Sequence, residues 1–358
     1  MGDVPKKHKA CVYDKPGEIS TKIVELDTPE PGAGEVLINL THSGICHSDM
    51  GVMMNTWALL PAPTQEGQVG GHEGVGKIVK MGPGTENSHV KVGDRVGVKW
   101  ISAICDSCPA CLSGNDGICF NQKVSGYYTP GTFQQYVLGP ASYVTPIPDA
   151  LDSAAAAPML CAGVTVYSAL RKSEAKSGEW VVLLGAGGGL GHLACQISAR
   201  GMGHRVIGVD HGSKKDLVME SGAEYFIDHT KDNVEEEVKK ITGGLGAQAV
   251  LVLTAANGAY ASAVDLLRFA GTLVCVGLPE GKPVPIAKAF PQLLIMKAQR
   301  IIGSAVGSRK EAIETLEMAS RGIVKTHFRT VKMDELTDVF NEMNEAKISG
   351  RVVLDMTA

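Results

Sequence analysis

The sequence predicts a mixed α/β protein with two domains, and three observations support this. The chain has 358 residues, more than one compact domain usually requires. Its first 150 residues carry short alternating apolar runs, such as EVLINL and GKIVKM, separated by turns rich in Gly, Pro and Asp. From near Ala154 onward, compact apolar runs alternate with helical segments. This second pattern is typical of a parallel sheet covered on both faces.

Five apolar runs predict the strands of the parallel sheet. They are WVVLLG at 180–185, HRVIGVD at 204–210, EYFID at 224–228, AVLVLT at 249–254 and GTLVCVG at 271–277. Helical segments such as HLACQISARG and NVEEEVKKIT lie between them. The tail, DELTDVFNEMNEAKISGRVVLDM, predicts one amphipathic helix and a final strand.

Composition and charge disfavour several classes of partner. The net charge is −4 and no basic block occurs, so neither a nucleic acid nor a membrane surface is an expected partner. We see no apolar secretory segment at the N-terminus, and no run approaches the ~18 apolar residues of a membrane span. Nine cysteines in such a chain are expected to be reduced thiols or metal ligands. A cytoplasmic location is therefore expected.

A glycine-rich turn follows the strand WVVLLG and precedes a helix expected to begin near His192. Glycines at such a turn let the backbone approach a pyrophosphate at the helix N-terminus. The strict G-x-G-x-x-G spacing is not met, and taken alone the run is also compatible with a tight turn. The candidate coenzyme residues of the turn are Gly185, Gly187, Gly188, Gly189 and Leu190.

The next predicted strand ends in Asp210, 19 residues beyond Gly191. A carboxylate at this place can accept hydrogen bonds from both ribose hydroxyls and repel a 2′-phosphate, so the sequence favours NAD over NADP. Lys214 is close enough in sequence to reach the ribose edge, although a solvated lysine explains it equally well.

Four cysteines lie within CDSCPACLSGNDGIC, in a lobe spanning residues 100–120. Four thiolates can close a tetrahedral shell around one zinc ion and leave no position for a substrate, which indicates a structural site. An iron–sulfur cluster is the competing use of clustered cysteines. The four candidate ligands are Cys105, Cys108, Cys111 and Cys119.

A second set of candidate ligands is dispersed along the chain. Cys46 lies in GICHSD, His72 and Glu73 lie in GGHEGVG, and Cys161 lies in LCAGVTVY. One imidazole and two thiolates would leave zinc an open fourth position, as catalytic sites do. Taken singly, the cysteines are also compatible with small buried side chains and His72 with a core histidine.

These motifs together resemble those of a known family. GICHSD, GGHEGVG, VGDRVGVKW, the four-cysteine lobe, GTFQQY, LCAGVTVY, GGLG, VIGVD, VGSRKEA and SGRVVLD occur in order along nearly the whole chain. The sequence is similar to the zinc-containing alcohol dehydrogenases of the medium-chain dehydrogenase/reductase superfamily, in the yeast-type branch that is commonly homotetrameric. The resemblance implies a GroES-like catalytic domain at 1–157 and 301–358, a doubly wound Rossmann coenzyme domain at 158–300, and a homotetramer.

The resemblance also implies roles for the residues near the dispersed ligands. Cys46, His72 and Cys161 would hold a catalytic zinc, so that each chain carries two zinc ions with the one in the lobe. Glu73 would be a carboxylate beside that zinc, able to ligate it transiently. Asp49 would orient His72, and Ser48 would take the proton of the substrate.

Further roles concern the coenzyme and the substrate pocket. His47 and Arg351 would contact the coenzyme phosphates, and Trp57 and Trp100 would form bulky walls of a pocket for a small alcohol. The residues implied to hold the nicotinamide half are Val276, Leu278, Ser304 and Val306.

The implied function is hydride transfer between NAD and a primary or secondary alcohol, giving an aldehyde or ketone. A second hypothesis is an NAD(P)H-dependent reductase of a bulkier aldehyde. A third is an inactive scaffold that binds zinc and nucleotide, against which the complete ligand set argues.

One position departs from the family pattern. A histidine that relays the proton from Ser48 to solvent usually stands five residues after the first zinc-ligand cysteine, and here that position is Gly51. The proton must then leave through water, His47 or another route. We expect the missing side-chain volume to admit a larger substrate or an ordered water.

Overall fold

The computed structural model describes residues 4–57 and 60–358, which form two compact units. The first unit comprises the chain up to Cys161 together with Ser308–Ser320 and Phe328–Ala358, and the second comprises Ala162–Gly307 and Arg321–His327. The sequence predicts boundaries at residues 157 and 300, a few residues before the corresponding edges of the second unit. Both chain ends therefore contribute to the first unit.

The chain up to the first helix of the second unit is rich in strands. Its strands are β1 Lys7–Tyr13, β2 Thr21–Asp27, β3 Glu35–Ile45, β4 Gln68–Val69, β5 Gly74–Met81, β6 Arg95–Val98, β7 Ile101–Ala103, β8 Lys123–Val124, β9 Tyr136–Pro140 and β10 Thr145–Pro146. Its helices are α1 His47–Met53, α2 Pro109–Leu112 and α3 Ser153–Ala156.

The second unit alternates strands and helices. Its helices are α4 Ala162–Ser173, α5 Gly191–Gln196, α6 Lys215–Glu220, α7 Val234–Ile241, α8 Asn257–Ala263 and α9 Pro291–Lys297. Its strands are β11 Trp180–Leu184, β12 Arg205–Asp210, β13 Tyr225–Asp228, β14 Ala247–Val252, β15 Leu267–Cys275 and β16 Arg300–Gly303. The chain ends with α10 Arg309–Ser320, β17 Phe328–Val331, α11 Leu336–Asn344 and β18 Arg351–Asp355.

The six strands of the second unit form one parallel sheet in the order β13-β12-β11-β14-β15-β16. Counted from β11 this is the order 3-2-1-4-5-6 of a dinucleotide-binding sheet, which confirms the predicted parallel α/β fold. Residues Val181 to Leu184 are buried throughout, because helices cover both faces. The order of strand addition reverses between β11 and β14, so the carboxyl end of β11 lies at the ligand-binding crevice of such folds.

The sheet of the first unit joins distant parts of the chain. Its order is β10-β6-β5-β3-β18-β17, and β9 also pairs with β3. The C-terminal strand β18 runs antiparallel to β3, with Val353 opposite Gly44. This register places the start of β18, at Arg351, beside the end of β3, where α1 begins.

Among residues 4–57 and 60–358, no single helix is long and apolar enough to span a membrane. One consecutive pair, Ser153–Leu160 and Ala162–Ser173, meets the criterion jointly, by length and composition alone.

Lys99, directly after β6, is a buried lysine that we did not predict from the sequence. It is 3% exposed, and its Nζ lies 3.5 Å from the centre of the Tyr143 ring. Tyr143 donates a hydrogen bond of 2.6 Å to Asp116 in the four-cysteine lobe. Burial lowers the pKa of Lys99 from 10.5 to about 7, against the attraction of Asp116.

We expect Lys99 to make the stability of the protein depend on pH. Between about pH 7 and 10.5 the native lysine is largely neutral while the unfolded one is charged, so the unfolded chain binds more protons and stability rises with pH. The contribution of this residue is about 1.4 kcal/mol per pH unit at most. Urea unfolding of the wild type and Lys99→Met at pH 7, 8 and 9 measures it: the wild type should gain stability relative to the variant. If the free energies of unfolding of the two proteins change with pH in the same way, the lowered pKa assigned to Lys99 is wrong.

Candidate active site

The first candidate ligand, Cys46, stands between the end of β3 and the start of α1. Its backbone is extended, with φ −122° and ψ 153°, and its N–H donates to Asp49 Oδ2 over 2.9 Å. A carboxylate at the third helical position thus satisfies an otherwise unpaired N–H group at the start of the helix. This fixes the direction in which the Cys46 side chain leaves the backbone.

The other oxygen of Asp49 orients His72. Asp49 Oδ1 lies 2.7 Å from His72 Nδ1, and both side chains are buried, at 2% and 0% exposure. The opposite nitrogen, Nε2, lies 3.2 Å from Cys161 Sγ. Burial alone would lower the pKa of His72, but the adjacent Asp49 carboxylate raises it well above its usual value. A carboxylate that accepts from one ring nitrogen leaves the other available as a ligand.

Four side chains converge at this point in the first unit. The ligand atoms of Cys46, His72, Glu73 and Cys161 lie within 4.8 Å of one another, and all four residues are buried. A hydrogen bond from Cys161 lowers the pKa of Cys46 well below that of an ordinary thiol. Two thiols and one imidazole are the donors that zinc prefers, and these three leave one coordination position open. The residues therefore fit a catalytic zinc ion.

Glu73 is held beside these ligands by Arg351. Arg351 Nη2 donates to Glu73 Oε1, and the side chains are 5% and 0% exposed. Burial raises the pKa of Glu73 to about 7, although the guanidinium of Arg351 opposes the rise. Among the residues that the structure describes, Glu73 Oε2 has no hydrogen-bond partner, as expected for an oxygen that can turn toward a metal. The side chain fits because Gly44 opposite it has no Cβ.

The remaining predicted residues of this region lie on or beside α1. Ser48 Oγ is 3.6 Å from Cys46 Sγ and half-buried, while His47 is exposed on the first turn of the helix. The Trp100 ring meets the His72 ring edge to face at 4.9 Å between centroids. Trp57 meets Trp100 in the same way at 5.7 Å. The structure thus places Trp100 against the candidate metal ligand His72, and Trp57 against Trp100.

The space next to Gly51 is occupied. A Cβ built on Gly51 would lie 2.7 Å from Trp57 Nε1 and 2.9 Å from Trp57 Cε2, so the indole ring takes the volume of the missing side chain. The expectation that this volume admits a larger substrate or an ordered water is therefore wrong.

The four cysteines of the lobe form a separate cluster around α2. Neighbouring sulfur atoms lie 3.6 Å apart for Cys108 and Cys111, 3.9 Å for Cys108 and Cys119, and 3.5 Å for Cys119 and Cys105. Ligands at ~2.3 Å from one zinc in a tetrahedron stand about 3.8 Å apart, so the cluster fits a closed zinc site. The backbone N–H of Ser107 helps to lower the pKa of Cys105 to about 5, which favours the thiolate. All nine cysteines are free of disulfides.

In the second unit, the glycine-rich turn connects β11 to α5. Gly185 has a φ of +88°, which favours glycine, and a Cβ at Gly191 would collide with the carbonyl of Gly185. Asp210 lies across the turn, where its carboxylate accepts the N–H groups of Gly187 at 2.8 Å and His211 at 2.7 Å. The predicted ribose carboxylate therefore stands at the carboxyl end of β12, directly beside the turn.

The predicted nicotinamide residues follow the last two strands of the same sheet. Val276 and Leu278 come after β15, and Leu278 is exposed. Ser304 and Val306 come after β16, where Ser304 Oγ accepts a hydrogen bond of 3.1 Å from Lys172. Val306 adopts a φ of +36°, which is strained for a β-branched residue. The other two predicted coenzyme contacts, His47 and Arg351, belong to the first unit.

Comparison with known proteins identifies the family. Residues 32–149 match the family model of the alcohol dehydrogenase GroES-like domain, and residues 189–321 match that of the zinc-binding dehydrogenases. Alcohol dehydrogenase 2 of Emericella nidulans is 64% identical over 99% of both chains. The chain belongs to the zinc-binding alcohol dehydrogenase family. An alcohol dehydrogenase of Schizosaccharomyces pombe is 41% identical, also over 99% of both chains.

Solved structures agree with this assignment. Acetophenone reductase from Geotrichum candidum, in complex with NAD, is 27% identical, has a TM-score of 0.86 and covers 99% of this chain and 98% of its own. The alcohol dehydrogenase of Aeropyrum pernix is 26% identical, with a TM-score of 0.86 over 97% and 99% of the two chains. The predicted family, its α/β fold with a GroES-like and a Rossmann domain, and its oxidoreductase activity are thereby confirmed.

Two features of this alcohol dehydrogenase were not predicted from the sequence. Arg351 pairs with Glu73 although 278 positions separate them, and only the register of β18 against β3 reveals the pairing. Gly44 gives Glu73 its space, and the sequence does not show that these two residues are neighbours. A glycine one residue before the end of a long apolar strand was the available signal.

Proposed function

We propose that this alcohol dehydrogenase oxidises a small primary alcohol to its aldehyde with NAD, and catalyses the reverse reduction. The observation that carries this proposal is the open set of Cys46, His72 and Cys161 with the Ser48 hydroxyl beside it. When bound there, zinc supplies a Lewis acid that lowers the pKa of the substrate hydroxyl.

The residues around this site then have separate tasks. Asp49 fixes the ring of His72 and, through the N–H of Cys46, the start of α1. Ser48 would accept the hydroxyl proton of the alcohol and pass its own proton on to water, His47 or another acceptor. Bound NAD would supply the acceptor for the hydride that leaves the carbinol carbon. Because His47 follows Cys46 and is exposed, we assign it to the coenzyme phosphates.

We further propose two zinc ions per chain. The seven cysteine and histidine ligands fall into a set of three with an open position and a closed set of four, and the thiol separations of the closed set match a tetrahedral ion. An iron–sulfur cluster is the alternative for the four-cysteine set. Metal analysis that finds iron instead of zinc would support this alternative.

The aromatic pair favours a small substrate. Trp57 and Trp100 pack edge to face, and Trp100 contacts the ring of His72, so bulky groups stand close to the metal ligands. A panel of ethanol, butan-1-ol, propan-2-ol and benzyl alcohol, followed by NADH absorbance, tests the proposal. We expect the highest kcat/KM for a short primary alcohol. Turnover confined to bulky aldehydes would favour the second hypothesis, and no turnover with any of them would favour a scaffold.

We propose that Asp210 sets the preference for NAD. Its carboxylate stands at the glycine-rich turn, and the related acetophenone reductase was solved with NAD. In Asp210→Gly, the NAD-to-NADP ratio of kcat/KM should fall at least about tenfold, because a repulsive charge worth ~1.4 kcal/mol is removed. Asp210→Asn, which keeps the side-chain shape and one of the two acceptor oxygens but removes the charge, should show most of the same fall. If the wild type has the same kcat/KM with NADPH as with NADH, Asp210 does not have this role.

A homotetramer in the cytosol completes the proposal. Strand β16 ends the sheet of the second unit, and apolar side chains beside it are exposed: Phe290, Ile295, Met296 and Ile302. An unpaired strand edge with an apolar surround suits a second copy of the chain. Light scattering should give four times the 37.6 kDa mass of the chain. Nine free cysteines support a reducing compartment.

A further inference from the structure

The indole of Trp57 lies directly against the backbone of Gly51. The two closest indole atoms would be 2.7 and 2.9 Å from a Cβ at position 51, closer than side chains pack. The indole N–H is buried and has no hydrogen-bond partner among the described residues. Leaving a buried donor unpaired is unfavourable. The ring is therefore held here by packing, and that packing requires glycine at position 51.

The end of α1 brings Trp57 back to Gly51. Asn55, with a φ of +55°, donates its N–H to Val52 O, and Thr56 donates its N–H to Gly51 O over 3.1 Å. These two bonds and the left-handed residue are those of a Schellman motif. Thr64 supports the turn by donating its N–H to Asn55 Oδ1 over 2.8 Å. The residue after the motif, Trp57, then has its ring against the last turn of the helix.

This contact is connected to the candidate active site in two ways. Ser48 and Gly51 are three residues apart on α1, so they are neighbours on the helix surface. Trp57 also meets Trp100, whose ring meets that of the metal-ligand candidate His72. A displacement of the indole would change the space beside both Ser48 and His72.

We propose that Gly51 is a specificity-determining residue that acts through Trp57. Its lack of a side chain seats the indole against α1, and the seated indole fixes the size of the alcohol accepted beside Ser48. The position of the usual relay histidine has thus become part of the pocket wall. This inference rests on the proposed function for its substrate, but the Gly51–Trp57 contact itself is independent of it.

A double-mutant cycle tests the proposal by kinetics. The variants are Gly51→Ala, Trp57→Ala and the double variant, each assayed with ethanol and with the branched 2-methylpropan-1-ol. Trp57→Ala should improve the branched alcohol relative to ethanol by about tenfold or more, the effect of roughly one methylene or more in a pocket. With Trp57 present, Gly51→Ala should change the ratio of kcat/KM for the branched alcohol to kcat/KM for ethanol by about tenfold. In the Trp57→Ala background, the same substitution should change this ratio by less than about twofold.

Tryptophan fluorescence tests the contact without any turnover or metal. The chain has three tryptophans, and a ring displaced from Gly51 exposes its buried N–H to water. We expect Gly51→Ala to shift the emission maximum to longer wavelength, and the shift to vanish in the Trp57→Ala background. Gly258→Ala is the matched control, because its Cβ on α8 meets no atom within 4 Å and should change neither emission nor selectivity.

The outcomes separate this inference from the proposed function. If no alcohol is oxidised but the emission shift depends on Trp57, the contact stands and the proposed substrate is wrong. If the wild type oxidises ethanol and Gly51→Ala changes neither ratio nor emission, the inference is overturned. An equal change of the ratio in both Trp57 backgrounds also overturns it, because Gly51 would then act through the helix alone.

Discussion

Replacing Cys46 by serine should lower kcat/KM for alcohol oxidation by at least about 10³-fold while leaving the protein folded. Cys46 is one of three candidate ligands of the proposed open metal site. A Lewis acid contributes several kcal/mol to catalysis, and each ~1.4 kcal/mol corresponds to a tenfold change in rate. Steady-state NADH absorbance measures the loss, and far-ultraviolet circular dichroism reports the fold.

Cys11→Ser is the matched control for this substitution. Cys11 is a buried thiol on β1 outside both cysteine clusters, so its variant should keep kcat/KM within a few-fold of the wild type. Retention of more than a tenth of the activity in Cys46→Ser would show that this cysteine does not hold the catalytic metal.

Replacing Cys105 by serine should mainly reduce stability. The four sulfur atoms stand at the spacing of one closed zinc site, and loss of a structural metal is among the largest effects of a single substitution, of about 3 kcal/mol or more. The loss should spread beyond the lobe, because Asp116 accepts from Tyr143 at 2.6 Å and from the Arg309 N–H at 3.0 Å. Thermal unfolding should shift down, while kcat measured well below the transition should change little.

Leu112→Ser serves as the control in the same lobe. Its side chain is 76% exposed, so the variant should unfold at the wild-type temperature within a degree or two. If Cys105→Ser unfolds like Leu112→Ser, the lobe does not depend on a metal.

Patterns of neighbouring residues predicted the strands, turns and helices that depend only on their own segment of the chain. The run at 180–185 is apolar at every position of β11 because both faces of that strand are covered. Such a run predicts a buried strand without any information on the rest of the fold. The turn at Gly185 and the acid at Asp210 lie within one strand-turn-helix-strand segment, so their spacing is visible in the sequence. The helix HLACQISARG was also predicted, although its second half, Ile197–Gly201, is wound as a π-helix.

Such patterns could not predict contacts between side chains that the fold brings together. The pairing of Arg351 with Glu73 depends on the register of β18, and the contact of Trp57 with Gly51 depends on how the chain turns after α1. In the second case the sequence showed a missing histidine but not the indole that takes its space. Backbone geometry determines which side chain fills the space beside a glycine, and the spacing of residues in the sequence does not reveal that geometry.

Zinc content tests the central claim most directly. We predict two zinc ions per chain in the wild type, and one in Cys46→Ser, with alcohol oxidation lost from that variant alone when it is compared with Cys11→Ser. A wild type that contains one zinc ion or none after purification in zinc-supplemented buffer, yet oxidises alcohol with NAD, would contradict the account.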